Sequence, residues 1–277
     1  MEQKFHDTKE EHMNVRDLSV NCSILLTHLP LLARPAAARE AGFEAIELWW
    51  PFASATPSDD EIDALVRALR DAGVQLAGLN FAAGDMAAGD RGLMSWPGRE
   101  AELRANLDAV TMIGEQTGCR LFNALYGLRR PDSTPEIQDA LAAKNLALAA
   151  QAVGRIGGTV LVEPVSGAPE YPLRTADDVV AVLDRVTAQY GAKRLGLLFD
   201  VYHLAANGDD VDAAIASHAN RIAHVQIADL PGRGAPGTGR LPIARWLDDL
   251  RQRGYTGRIA LEYVANNSDP FAWLAQF

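Results

Sequence analysis

Cysteine is nearly absent: Cys22 and Cys119 are the only two in a chain of 277 residues. Both fall in or beside predicted strands, so the expectation is buried, reduced thiols in a cytoplasmic setting rather than a disulfide. No apolar run approaches the ~20 residues that cross a bilayer, so no membrane span is expected. Positive charge is in deficit, with 26 Lys and Arg against 36 Asp and Glu and a formal net charge of -10. An acidic surface disfavours nucleic acid and membrane-bound partners. Histidine is scarce at six residues, which argues against a His-rich multi-zinc nuclease centre. Met1 to Asn14 are charged and lack an apolar stretch, so they do not read as a secretory signal. Residues 1–16 are expected to form a disordered extension ahead of a single domain at 17–277.

What the chain does have is hydrophobic residues, 48% of the total, enough for one large core. Apolar runs alternate with charged amphipathic runs, the pattern of βα units. Strands are predicted at 18–26, 45–50, 75–80 and 120–126, then one ending at Glu163. The next ends at Asp200 and continues through Val201-Tyr202-His203, followed by 222–228 and 258–264. Helices are predicted at 30–41, after Ser58, and at 100–117, 135–156, 176–190, 209–218 and 243–254, with a short tail helix over 270–277. Ser58 with Glu61 three residues on has the form of a capping box. This rhythm defines an α/β chain folded as a single (β/α)8 TIM barrel. The stretch 81–99, rich in Gly, Ala and Asp, is long for a connection and predicts a lid over the barrel mouth.

Four apolar runs end on oxygen-bearing side chains. Thr159-Val160-Leu161-Val162 leads to Glu163-Pro164, and Leu195-Gly196-Leu197-Leu198-Phe199 leads to Asp200. Ala223-His224-Val225 leads to Gln226, and Ile259-Ala260-Leu261 to Glu262. In such a barrel the C-terminal strand ends share one mouth. Three carboxylates gathered there repel, and a divalent cation relieves the repulsion. An all-oxygen set favours Mg²⁺ or Mn²⁺ over Zn²⁺.

Several stretches together resemble the hydroxypyruvate isomerase family, within the xylose isomerase-like TIM barrels. They are 43–48 (Phe-Glu-Ala-Ile-Glu-Leu), Leu79-Asn80 with the Gly-Asp-Met-Ala-Ala-Gly-Asp-Arg-Gly loop at 84–92, Leu161-Val162-Glu163-Pro164, and Phe199 to His203. They continue with His224 to Asp229, Pro231-Gly232-Arg233, and Leu261-Glu262-Tyr263. The resemblance implies that Glu163, Asp200, Gln226 and Glu262 ligate the metal and that Glu163 and Glu262 exchange protons with the substrate. It implies a small hydroxy-acid, oxo-acid or sugar substrate, converted through an enediolate as in hydroxypyruvate to 2-hydroxy-3-oxopropanoate. A ketose 3-epimerase, a 2-oxo-tetronate isomerase and a cyclitol dehydratase of the same superfamily are the alternatives, and a homo-oligomer is compatible with any of them.

His203 stands three residues past Asp200, where related barrels place a substrate-binding histidine. Arg233 can fork onto a substrate carboxylate. Glu47, Asn80 and Arg91 complete the substrate-binding expectation. His224, two residues before Gln226, reads as core or as support behind the site. Trp49, Trp50 and Trp96 read as packing, with an apolar wall of the pocket as the alternative, and His6, His12, His28 and His218 as incidental. The segments 165–171, 234–236 and 239–242 depart from the family pattern on the substrate side.

Overall fold

The computed structural model describes residues 15–265 and 269–276. Most of the predicted N-terminal extension lies outside them; Val15 and Arg16 begin a 3-10 turn. Strands β1 (Leu18–Asn21), β2 (Ala45–Leu48), β3 (Gln75–Asn80), β4 (Leu121–Asn123), β5 (Thr159–Val162), β6 (Leu195–Asp200), β7 (Ile222–Ile227) and β8 (Ile259–Leu261) pair in parallel, in chain order. β8 closes back on β1, with Leu18 opposite Ile259 and Val20 opposite Leu261. Closure makes every strand central, so both faces are buried and the strands read as nearly continuous apolar runs.

Helices α1 (Arg34–Glu40), α2 (Asp59–Ala72), α3 (Glu100–Thr117), α4 (Pro135–Gly154), α5 (Ala176–Tyr190), α6 (Val201–Asn207), α7 (Val211–His218) and α8 (Ile243–Gln252) follow the strands. Local chemistry sets their limits. Ser58 caps α2 in the predicted box: its side chain accepts from the Glu61 N–H, and Glu61 accepts from the Ser58 N–H. Thr175 and Asp178 do the same for α5. Gly73 and Gly191 end α2 and α5 in the left-handed conformation, φ 65° and 67°, where a Cβ costs energy.

β6 ends at Asp200 as predicted, but Val201-Tyr202-His203 open α6 and do not continue the strand. The strand stops at Asp200, whose Oδ1 accepts the N–H groups of Tyr202 (2.8 Å) and His203 (3.1 Å) and so caps α6. The β-branched and aromatic residues after Asp200 suit a strand, but a capping acid outweighs that weak preference. β3 keeps its predicted bounds, several other strands are shorter than expected, and the tail is a 3-10 turn, Ala272–Gln276. Cys22 and Cys119 are free and buried, and burial raises both thiols to about 12. Among the described residues no helix is long and apolar enough to cross a membrane.

Candidate active site

The barrel gathers a polar residue from every strand end. Asn21, Glu47, Asn80, Asn123, Glu163, Asp200, Gln226 and Glu262 are all buried at or just beyond the C-terminal ends of β1 to β8 in turn. Parallel register aligns them: Asn21 lies opposite Glu47, Asn80 opposite Asn123, and Asp200 opposite Gln226. A cavity of about 350 Å³ opens over this ring, lined by Trp49, Asn80, Arg91, Glu163, His203, Arg233 and Glu262 among others. Every residue expected to bind substrate lines it except Glu47. Asp200 and Gln226 do not line it and are almost fully buried. A larger groove of about 580 Å³ between the ends of α4 and α5 is lined by Lys144, Tyr190 and Arg194 and holds no carboxylate or histidine.

Glu163 Oε1 accepts from Asn123 Nδ2 at 2.6 Å. Across the mouth, Glu262 Oε2 accepts from Asn21 Nδ2 at 3.1 Å, and its Oε1 takes Arg233 Nη2 at 2.6 Å and Trp49 Nε1 at 3.3 Å. Arg233 also donates from Nε to the Glu262 carbonyl at 3.1 Å, stands 3.8 Å from Asp200 Oδ2, and lies over the Tyr202 ring. Its backbone is left-handed at φ 56°, a strained state for a residue with a side chain. The Arg233 carbonyl accepts the Val264 N–H, and Asp229 pairs with Gly234 on the other side of the turn. Asp229, buried, accepts the N–H groups of Leu230, Gly237, Gly239 and Leu241. That hub holds the loop that points the guanidinium into the mouth.

Charge is concentrated here. Burial pushes Glu163 well above the ordinary carboxyl range, reinforced by the charges of Glu262 and Asp200 and opposed by the Asn123 hydrogen bond. Burial raises Glu262 to about 7, with Arg233 pulling it down and Asp200 and Glu47 pushing it up. His203 is lowered to about 4, mainly by burial. The Ser166 backbone N–H donates to His203 Nδ1 at 3.0 Å. This leaves the hydrogen on Nε2, which faces Asp200 Oδ2 at 3.8 Å. At neutral pH His203 is therefore a neutral hydrogen-bond donor.

Ligand atoms of Glu163, Asp200 and His203 lie within 4.8 Å of one another, close enough to hold a metal ion. Asp200 Oδ2 and Gln226 Oε1 are buried oxygens with no hydrogen-bond partner. Unpaired buried acceptors beside crowded carboxylates fit a hard divalent cation. Glu262 differs, because both its oxygens already have donors.

Asn21, Asn123, Ser166 and Asp229 are not among the expected site residues, while Trp49 takes the alternative of the two places open to it and lines the cavity. Asn21 and Asn123 lie inside the stretches predicted as strands, at 18–26 and 120–126, so no break in an apolar run marks them. Trp50 and Trp96 do lie outside the cavity lining; the guanidinium groups of Arg99 and Arg130 each lie over the Trp96 ring. His218 pairs with Asp177 at the surface, while His6 and His12 lie outside the described residues.

A closed parallel barrel with a carboxylate-rich mouth defines a class, and comparison with known proteins agrees with it. The family model of the xylose isomerase-like TIM barrel matches residues 35–276, and the chain belongs to that family. The chain is 50% identical over 264 residues to a Streptomyces coelicolor protein called "Putative hydroxypyruvate isomerase", covering 92% of this chain and 94% of that one. It is 34% identical over 264 residues to the 2-oxo-tetronate isomerase of Cupriavidus necator, covering 94% and 97%. The crystal structure titled AP endonuclease, family 2 from Brucella melitensis superposes with a TM-score of 0.84 at 28% identity, covering 94% of this chain and 98% of that one. Within the family the chain is an isomerase of the hydroxypyruvate isomerase group.

Proposed function

We propose that the chain interconverts hydroxypyruvate and 2-hydroxy-3-oxopropanoate with the help of a divalent cation, Mg²⁺ or Mn²⁺. The observation that carries this reading is the pair of buried glutamates, Glu163 and Glu262, facing one small cavity that Arg233 also lines. Glu163, Asp200, Gln226 and Glu262 are the residues that would hold the cation. When bound, the cation would polarise the substrate carbonyl and offset the negative charge of the enediolate. For Glu262 it competes with the Arg233 guanidinium.

The chain's own groups account for the rest. One glutamate removes a proton from C3 of hydroxypyruvate, the C–H electron pair becomes the C2–C3 double bond, and negative charge moves onto the C2 oxygen. The other glutamate delivers a proton to C2, the C3 hydroxyl passes its proton to the C2 oxygen, and C3 becomes the aldehyde while C2 carries the hydroxyl. The reaction is reversible, so each glutamate is base in one direction and acid in the other. Burial keeps both carboxyls above their ordinary range, where proton exchange near neutral pH is fast. His203 donates from Nε2 to a substrate oxygen, and Arg233 pairs with the substrate carboxylate. Asn80 and Arg91 line the same space. Leu125 and Val165 supply apolar walls that limit water.

Cavity size favours a second substrate for the same chemistry. A volume of about 350 Å³ leaves room around a three-carbon acid, and the Cupriavidus relative is a 2-oxo-tetronate isomerase. An endonuclease reading has less support. Among the described residues only His203 and His224 of the histidines are buried, and the net charge of -10 opposes a phosphate backbone. Assaying the metal-loaded protein with hydroxypyruvate and with 2-oxo-tetronate, each coupled to reductive trapping of the product, tests the proposal. Turnover of neither would overturn it.

A further inference from the structure

Glu47 is buried on β2, yet it does not line the cavity. Its carboxylate reaches across the barrel interior. Oε2 accepts from Gln226 Nε2 at 3.0 Å, while Oε1 accepts from Ser19 Oγ at 3.0 Å and meets His224 Nε2 at 2.6 Å. Gly78 on β3 makes room for this side chain, since a Cβ there would stand 3.3 Å from it.

A glutamine amide has one donating end and one accepting end of nearly equal size, and a half-turn exchanges them. Only the oxygen can ligate a cation; the NH₂ end repels it. A carboxylate has acceptors only, so it takes the NH₂ end and leaves the oxygen on the other side. The structure shows that outcome, with Gln226 Oε1 buried and without a partner. On the neighbouring strand, in register, Asp200 Oδ2 is in the same condition.

We infer that Glu47, clamped by Ser19 and His224, is a positioning residue that holds the Gln226 amide with its oxygen toward the cation site. This rests on the metal reading above. It also gives Glu47 a different task from the substrate contact expected of it.

The test compares Mn²⁺ binding by the metal-free wild-type chain, by Glu47→Gln and by the double variant Glu47→Gln/Gln226→Glu, read by electron paramagnetic resonance, with thermal unfolding of each. Glu47→Gln offers an amide that can hold Gln226 either way round, so Mn²⁺ affinity falls 10- to 100-fold, the usual cost of removing an orienting partner. The double variant exchanges the two groups and keeps the total charge. Its residue 226 has no donating end to misplace, so affinity returns at least to the wild-type level. A merely structural role for Glu47 would not be rescued this way. Wild-type affinity in Glu47→Gln, or a double variant that binds more weakly than wild type, overturns the inference. Should the single variant fail to fold, the double variant decides alone. If the wild-type chain itself does not bind Mn²⁺, the metal reading falls and this inference with it.

Discussion

Glu262 supplies a prediction whose size follows from the structure. Its carboxyl is 5% exposed, and burial raises it from an ordinary 4.5 to about 7. A raised value means that the folded metal-free chain binds this proton more tightly than the unfolded chain does. Stability from this group is therefore highest below the unfolded value, falls as pH rises between 4.5 and about 7, and is fully lost above. That interval at ~1.4 kcal/mol per pH unit comes to about 3.5 kcal/mol. Glu262→Gln removes the titration. It also removes a charge that raises Glu163, which changes the slope in the same direction. Urea unfolding of the chelator-treated wild type and variant at pH 5, 6, 7 and 8 measures it. The wild type should lose about 2–3 kcal/mol more than the variant between pH 5 and 8. Slope is the readout rather than absolute stability, because Asn21 Nδ2 meets an NH₂ in the variant where it met an oxygen. Parallel pH profiles would refute the claim that Glu262 is raised in the folded chain.

Other perturbations test neighbouring parts of the account. Glu163→Gln keeps an acceptor for Asn123 Nδ2, so the fold should survive while kcat drops by at least ~10²; near-wild-type turnover in a steady-state assay would remove Glu163 from proton transfer. Arg233→Ala should raise KM for acidic substrates well above its effect on neutral sugars, and an equal effect on both would end its carboxylate role. Asp229→Ala strands four backbone N–H groups and should cost about 3 kcal/mol in denaturant unfolding, with a rise in KM as the Arg233 loop loosens; unchanged KM would separate that loop from the site.

Much of this was legible in the sequence, for a physical reason. A strand buried on both faces shows as an apolar run, and a polar residue ending several such runs stands out. Glu163, Asp200, Gln226 and Glu262 were found that way, and the capping chemistry of Ser58 and Thr175 is equally local. Other features were hidden because they depend on contacts distant in the chain. Asn21 and Glu262 are 241 residues apart, and only closure of β8 on β1 brings them together. Trp49 is legible as packing or as a pocket wall, but nothing in the sequence shows that its indole N–H reaches Glu262. That Glu47 accepts from Gln226 is hidden for the same reason, since the two are 179 residues apart. The α6 helix was hidden by strand-forming residues just after Asp200, where the cap mattered more than the propensity.

Proton exchange in D₂O tests the central claim most directly. The metal-loaded chain is incubated with hydroxypyruvate and followed by proton NMR. The account predicts loss of the C3–H signal, with deuterium appearing at C3 of the substrate or C2 of the aldehyde product, and a rate at least ~10² lower in Glu163→Gln. A C3–H signal that decays no faster than in buffer with the same metal would contradict it.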